Sequence, residues 1–133
     1  MESSNIELIR SVYAAFTRGD IEFILARVSA DVEWVDPGAP AIPFAGTYHG
    51  VDGAAQFFGK LGETVEVFAF EPRDYLVAND LVGVFGYWRG RAKQTNREFE
   101  SDWAMSFRVR DGKVTRFQAY VDTAAEAAAH AAA

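Results

Sequence analysis

The sequence contains no cysteine. That absence excludes disulfides, thiolate nucleophiles and thiolate metal sites together, and it suits a reducing compartment. Histidine is nearly missing as well: His49 and His130 stand far apart in the chain. No histidine pair lies at metal-ligand spacing, so neither a metal nor another cofactor is expected. Basic residues number 13 against 19 acidic ones, a formal charge of −6. They are scattered rather than gathered into a stripe, and nucleic acid is not an expected partner. No apolar run approaches membrane-spanning length, and the opening "MESSNIELIR" lacks the basic-then-apolar plan of a signal peptide. The expectation is a cytoplasmic protein with no membrane partner.

Apolar and aromatic side chains, in contrast, are abundant. Half of the 133 residues are apolar, and eleven Phe, five Tyr and three Trp exceed what a minimal core needs. A cavity for a small apolar molecule is one use for them. The length suits one domain over residues 1–133, with an alanine-rich tail from about residue 123 that is expected to fray.

Periodicity places the elements. Ser4 and Glu7 read as a capping box, and Ile6, Ile9, Val12, Tyr13 and Phe16 recur at helical spacing, which predicts a helix over 4–18 closed by Gly19. Asp20 caps a second short helix with Ile21, Ile24, Leu25 and Val28 on one face. The stretch "DVEWVD" alternates, so Val32, Trp34 and Asp36 share one side of a short strand that ends at Pro37-Gly38. Residues 37–50 predict an ordered loop or small hairpin, and 51–61 a helix. The remainder reads as strands: "TVEVFAF", then "RDYLV" beyond Pro72, "LVGVFGYWR", "EFESDWAMSFRVR" and "KVTRFQAYVD", with Asp111-Gly112 as a hairpin turn and 90–97 as a loop. This order predicts an α+β fold, a cone-like curved antiparallel sheet closed by the N-terminal helices.

The chemistry concentrates at "VEWVDPGAP". Asp36 has two readings. As the residue that opens a turn it would accept a local backbone N–H and keep a normal or lowered pKa. Desolvated beside Trp34, Met105 and Phe117 it would have a raised pKa and could serve as a general base. Tyr48 and His49, in the adjoining loop, could donate to a developing oxyanion or be merely a packed Tyr and an exposed His. Tyr13 belongs to the apolar face of the first helix, where its hydroxyl needs a partner if buried. Glu98, Glu100 and Asp102 occupy the polar face of an amphipathic strand and read as solvated. Phe99, Trp103, Met105, Phe107 and Val109 share the opposite face, and Phe117, Ala119 and Val121 share one face of the last strand.

Five stretches, "VYAAFTRGD", "ADVEWVDPG", "GTYHGVDGAAQFF", "FESDWAMSFRVRDGKV" and "RFQAYVDT", together resemble the nuclear transport factor 2-like superfamily. That group includes ketosteroid isomerases, SnoaL-like polyketide cyclases, limonene epoxide hydrolase and nuclear transport factor. The resemblance implies a cone with an internal cavity. It aligns Asp36 with the carboxylate by which ketosteroid isomerases move a proton next to a carbonyl. The same alignment puts Val12 at the helix-one tyrosine position, Met105 at the oxyanion-hole aspartate position and Ala119 at the epoxide-hydrolase carboxylate position, so this cavity is expected to be greasier than its relatives'.

The resulting expectation is a protein that binds a small apolar organic molecule and performs acid/base proton transfer on it in the manner of an isomerase or cyclase. Asp36 would be the catalytic group. Tyr13, Trp34, Tyr48, His49, Trp103, Met105, Phe107, Phe117, Ala119 and Val121 would contact the substrate. A non-catalytic binding protein, an epoxide-hydrolase-like enzyme and a protein-interaction module are the alternatives. By analogy with the superfamily, a homodimer through the sheet is expected.

Overall fold

The computed structural model describes residues 2–131. Helix α1 (Glu2–Thr17) and the short α2 (Ile21–Leu25) precede β1 (Val28–Asp36), β2 (Gly46–His49) and α3 (Gly50–Thr64). The meander β3 (Val65–Ala78), β4 (Leu81–Ala92), β5 (Glu98–Arg110) and β6 (Lys113–Val121) follows, and α4 (Thr123–His130) ends the chain's described part. All six strands form one sheet in the order β2-β1-β6-β5-β4-β3. Four of its five neighbouring pairs are antiparallel, while β1 runs parallel to β6. The helices cover one face, and the core lies between them and the sheet. This is the expected cone-like α+β plan, with the sheet left open at both edges.

Local chemistry fixes most boundaries. Gly19 at φ 74° ends α1, and the Asp20 carboxylate accepts the Phe23 N–H to start α2. Asp111 and Gly112, at φ 52° and 75°, supply the two left-handed residues of a type I′ hairpin between β5 and β6. Several boundaries differ from the sequence reading: β4 runs on to Ala92, into the expected 90–97 loop, α3 extends over Gly50–Thr64, and three more have a visible cause. Helix α1 starts at Glu2, ahead of Ser4, because the Glu2 carboxylate accepts the Asn79 N–H and Asn5 donates to the Asn79 carbonyl, tying the helix start to the β3–β4 turn. Val28 opens β1 rather than lying on the α2 face, since it pairs with Val114 of β6. Strand β3 runs unbroken through Pro72, which an edge strand with a bulge between Pro72 and Asp74 tolerates.

The tail also departs from its expected fraying. Asp122 caps α4 by accepting the Ala125 N–H, and Glu126 and Ala129 are buried against the rest of the fold. The β4–β5 connection clamps the far end: Thr95 Oγ1 donates to the Ala129 carbonyl, and Arg97 donates to those of Ala128 and Ala131.

Bulges in β1, β3 and β6 bend the sheet around the core. At the centre of the bend Gly86 of β4 faces Trp103 of β5. A Cβ on Gly86 would lie 2.4 Å from the indole and 2.5 Å from the Glu71 carbonyl oxygen. The indole can lie flat across β4 only because that position carries no side chain. Gly86→Ala is therefore expected to cost about 1–3 kcal/mol or more of stability by overpacking, measured as a lower urea midpoint, and an unchanged midpoint would show that Trp103 has room to move.

Candidate functional site

The concave face of the sheet and the four helices enclose a cavity walled almost wholly by apolar side chains. A water-sized sphere can move its centre through about 70 Å³ of it. Alternation along the strands builds the walls, because every second side chain of a half-buried strand faces inward. Strand β1 contributes Trp34 and Asp36; β5 contributes Trp103, Met105 and Phe107; β6 contributes Phe117, Ala119 and Val121; α1 contributes Tyr13. Nine of the eleven residues singled out in the sequence thus line one space.

Aromatic stacking holds the walls. Trp34 and Phe117, register partners on β1 and β6, stack at 4.1 Å between centroids. Trp103 lies between Tyr13 and Phe70, stacked on both, with centroids 5.8 and 5.1 Å away. Phe107 meets the Tyr13 ring edge-on at 5.7 Å. Such pairs add to area burial and keep planar rings in fixed orientations.

Tyr48 and His49 do not reach the cavity. The Tyr48 hydroxyl donates to the Phe44 carbonyl at 2.9 Å and its ring packs edge-on against Phe57, so it braces the loop behind the wall. His49 is exposed at the N-terminus of α3, opposite Glu33 in the β1–β2 pairing. Only His49 is turned to the outer face of β2; Tyr48 shares the inner face with its pairing partner Trp34 but is kept from the cavity at the sheet edge, where Phe44 and Phe57 hold it. Tyr13 does reach the cavity, but its hydroxyl donates to the Met105 sulfur at 3.1 Å. Burial holds its pKa well above that of a free tyrosine.

Asp36 is 6% exposed and pairs through its backbone with Gly46. Its carboxyl group has no hydrogen-bond partner among the described residues, which removes the local N–H contact that a turn-opening role requires. Burial without compensation raises its pKa from 3.8 to about 7.

A second carboxyl group shares the cavity. Glu126 of α4 is 1% exposed and lines the same space, and its Oε1 has no partner among the described residues. Burial first, then the charges of Asp36 and Asp122, raise its pKa from 4.5 to about 8. The indole N–H groups of Trp34, Trp88 and Trp103 are likewise buried without partners. Glu126 went unnoticed in the sequence because it reads as the acidic member of a helix cap in an alanine-rich tail. Its spacing of three from Ala129, which is buried with it, was the one available signal. Phe44, Phe70 and Trp88 also line the space; Phe44 sits in the Pro/Gly-rich segment where no periodicity marks an inward direction.

Comparison with known proteins gives consistent relatives. The sequence pattern of the SnoaL-like domain matches residues 9–117. An uncharacterized protein of Mycobacterium tuberculosis (strain ATCC 25618 / H37Rv) is 27% identical over 125 residues, covering 93% of this chain and 94% of that one. The crystal structure of an NTF2-like protein from Burkholderia xenovorans LB400 is 37% identical, covers 98% of each chain and superposes with a TM-score of 0.90. The structure of TerC, co-crystallized with polyporic acid, is 32% identical over 95% of this chain and 97% of TerC, with a TM-score of 0.84.

The two raised carboxyl pKa values have a stability consequence whose sign is fixed. Each group binds its proton more tightly folded than unfolded, so its contribution is complete below about pH 4 and is lost as pH rises through about 7 for Asp36 and about 8 for Glu126. Stability is expected to fall over that window, by up to about 1.4 kcal/mol per pH unit per group at the steepest. Urea unfolding at a series of pH values checks this, with the Asp36→Asn, Glu126→Gln double variant expected to give a flatter profile.

Proposed function

The chain belongs to the SnoaL-like family, and on that premise we propose that it binds a small, largely apolar carbonyl compound in the cavity and that Asp36 moves a proton at the carbon next to the carbonyl. The observation that carries this reading is a buried, unpartnered carboxyl group in an aromatic cavity, with a pKa near neutrality. A base whose pKa lies near the working pH is partly available as the anion and still strong enough to take a proton. The step needs nothing beyond protein and substrate. The carboxylate removes the α-proton, the C–H electron pair passes into the carbonyl to give an enolate, and the proton returns to another carbon or exchanges with solvent. That TerC, a relative, was co-crystallized with polyporic acid supports an organic ligand for this cavity as well. Trp34, Phe117 and Trp103 would hold a flat ring system, and Met105, Ala119 and Val121 would shape its apolar end.

A binding protein without catalysis is the second reading, favoured by one observation. The tyrosine hydroxyl in the cavity is committed to the Met105 sulfur, and Met105 and Ala119 stand where related enzymes carry carboxylates. The methyl group of Ala119 also leaves no acid at that point for opening an epoxide.

Self-association through the convex sheet face is part of the same proposal. Phe85 and Tyr120 are 48% and 52% exposed and lie in one cross-strand row with Ala104 between them. An apolar row on three neighbouring strands suits contact with a second copy of the same surface.

Deuterium exchange into 2-tetralone, followed by proton NMR in D2O, tests the catalytic reading. The protein is expected to accelerate exchange of the protons next to the carbonyl, and Asp36→Asn to slow it about 10²–10⁴-fold while binding persists. Equal exchange by both proteins would leave the binding reading in place. Light scattering after size exclusion is expected to give a dimer that Phe85→Lys with Tyr120→Lys converts to a monomer; a monomeric wild type would refute the dimer.

A further inference from the structure

Glu126 takes no part in the proton transfer just described, yet its placement is costly. A fully buried carboxyl group without a partner is unfavourable as the neutral acid and far more so as the anion. The helix that carries it does not drift. Asp122 caps one end, the Asp122 N–H donates to Ser101 Oγ, and Thr95 and Arg97 bind carbonyls at the other. Glu126 is thus delivered to the cavity wall by a helix clamped at both ends, and its free oxygen is part of a rigid surface.

The remaining polar groups on that wall narrow the ligand. Three indole N–H groups lack partners, and an indole can only donate. The Tyr13 hydroxyl is already taken by sulfur. A ligand that satisfies such a wall presents acceptors among flat apolar rings. We infer that Glu126, as a neutral carboxylic acid, donates a hydrogen bond to the carbonyl oxygen of an aromatic or conjugated ketone in the cavity, and so decides which end of the ligand faces Asp36. This inference rests on the cavity being the ligand site proposed above, and makes Glu126 a positioning and specificity-determining residue of that site.

The charges around Glu126 favour the neutral acid. Asp36 on β1 and Asp122 at the helix cap both act to retain its proton. His130, on the next turn, is hydrogen-bonded through Nδ1 to the Glu126 carbonyl, and Arg97 lies at the far end of the helix. On the strands beneath, Arg89 and Arg91 are ion-paired to Glu98 and Glu66 on the outer face; Glu100 accepts from Tyr87 there, and Asp102 is exposed beside them.

The carbonyl stretch of 2-tetralone bound to the full chain, read by difference infrared spectroscopy together with its Kd, tests the inference. A hydrogen bond from Glu126 lowers the stretching frequency. Glu126→Ala is expected to abolish that shift and weaken binding about tenfold, whereas Glu126→Gln, whose amide still donates, retains most of both. In the wild type the shift should disappear as pH rises about one unit past the ligand-free value of about 8, because the bound ligand itself favours the acid, and in Glu126→Gln it should not. Asp36→Asn is expected to leave the shift in place, so failure of the proton-transfer reading is separable from failure of this one. An identical carbonyl frequency and Kd in wild type and Glu126→Ala would overturn the inference, as would absence of 2-tetralone binding by the wild type. Should Glu126→Ala not fold, a wild-type Kd that stays constant between about pH 7 and about pH 10 overturns it equally, since loss of the acid's proton must weaken binding.

Discussion

Desolvation of two carboxyl groups is the constraint on which the site depends. Water around Asp36 and Glu126 is replaced by rings and aliphatic carbon, and among the described residues no arginine, lysine or backbone N–H is supplied in return. Among the described residues seven arginines form ion pairs, and every one of those pairs lies on partly exposed side chains outside the cavity. Cations are therefore available to the fold and are used elsewhere. Pairing either acid with one of them would lower its pKa and remove the property that makes it chemically useful near neutral pH. The stability forgone at Asp36 and Glu126 is the physical counterpart of their raised pKa values.

Such a cavity stays open only if its walls resist collapse. Planar rings do this better than aliphatic chains, because they have few rotatable bonds and their contacts depend on orientation. The Trp34–Phe117 stack spans the parallel β1–β6 pair, and the Tyr13–Trp103–Phe70 stack spans α1 and the meander. The two stacks come from different parts of the chain, and the curved sheet brings them together. Curvature arises from bulges and from Gly86, whose missing side chain lets Trp103 lie against β4. The wall geometry is thus a backbone property before it is a side-chain one.

Strong local signals carried much of the fold. Asp111-Gly112, the Gly19 helix stop and the alternation of Phe99, Trp103, Phe107 and Val109 each have one physical solution, and the structure adopts it. Alternation also placed Trp34 and Asp36 on the inner side of β1. Illegible features were those decided by partners distant in sequence. The start of β1 depends on Val114, the start of α1 on Asn79, and β2 exists only because β1 offers an edge. For the same reason Tyr48 and His49 could not be kept out of the site by local reasoning: strand phase turns His49 outward beside Glu33, while Tyr48, inward like Trp34, is held at the edge by the Phe44 carbonyl. Glu126 was hidden by composition, since an alanine-rich helix carries almost no hydrophobic contrast from which a buried face can be read.

The polar groups of the cavity suggest how one fold accommodates different chemistry. Met105 on β5 and Ala119 on β6 give the cavity no carboxylate there, and Tyr13 is occupied by the Met105 sulfur. In their place an acid arrives from α4, the last helix, which packs on β4 and β5 rather than belonging to the sheet. A group on a docked helix can be moved or replaced without disturbing strand register, whereas a new acid on β5 would have to coexist with Trp103 and Phe107 on the same face. The sheet then supplies shape and Asp36, while the appended helix supplies the second carboxyl group. Ligand selectivity is for that reason expected to vary with α4 among proteins that share the rest of this architecture, because the strands are constrained by one another and the helix is constrained only at its two clamped ends.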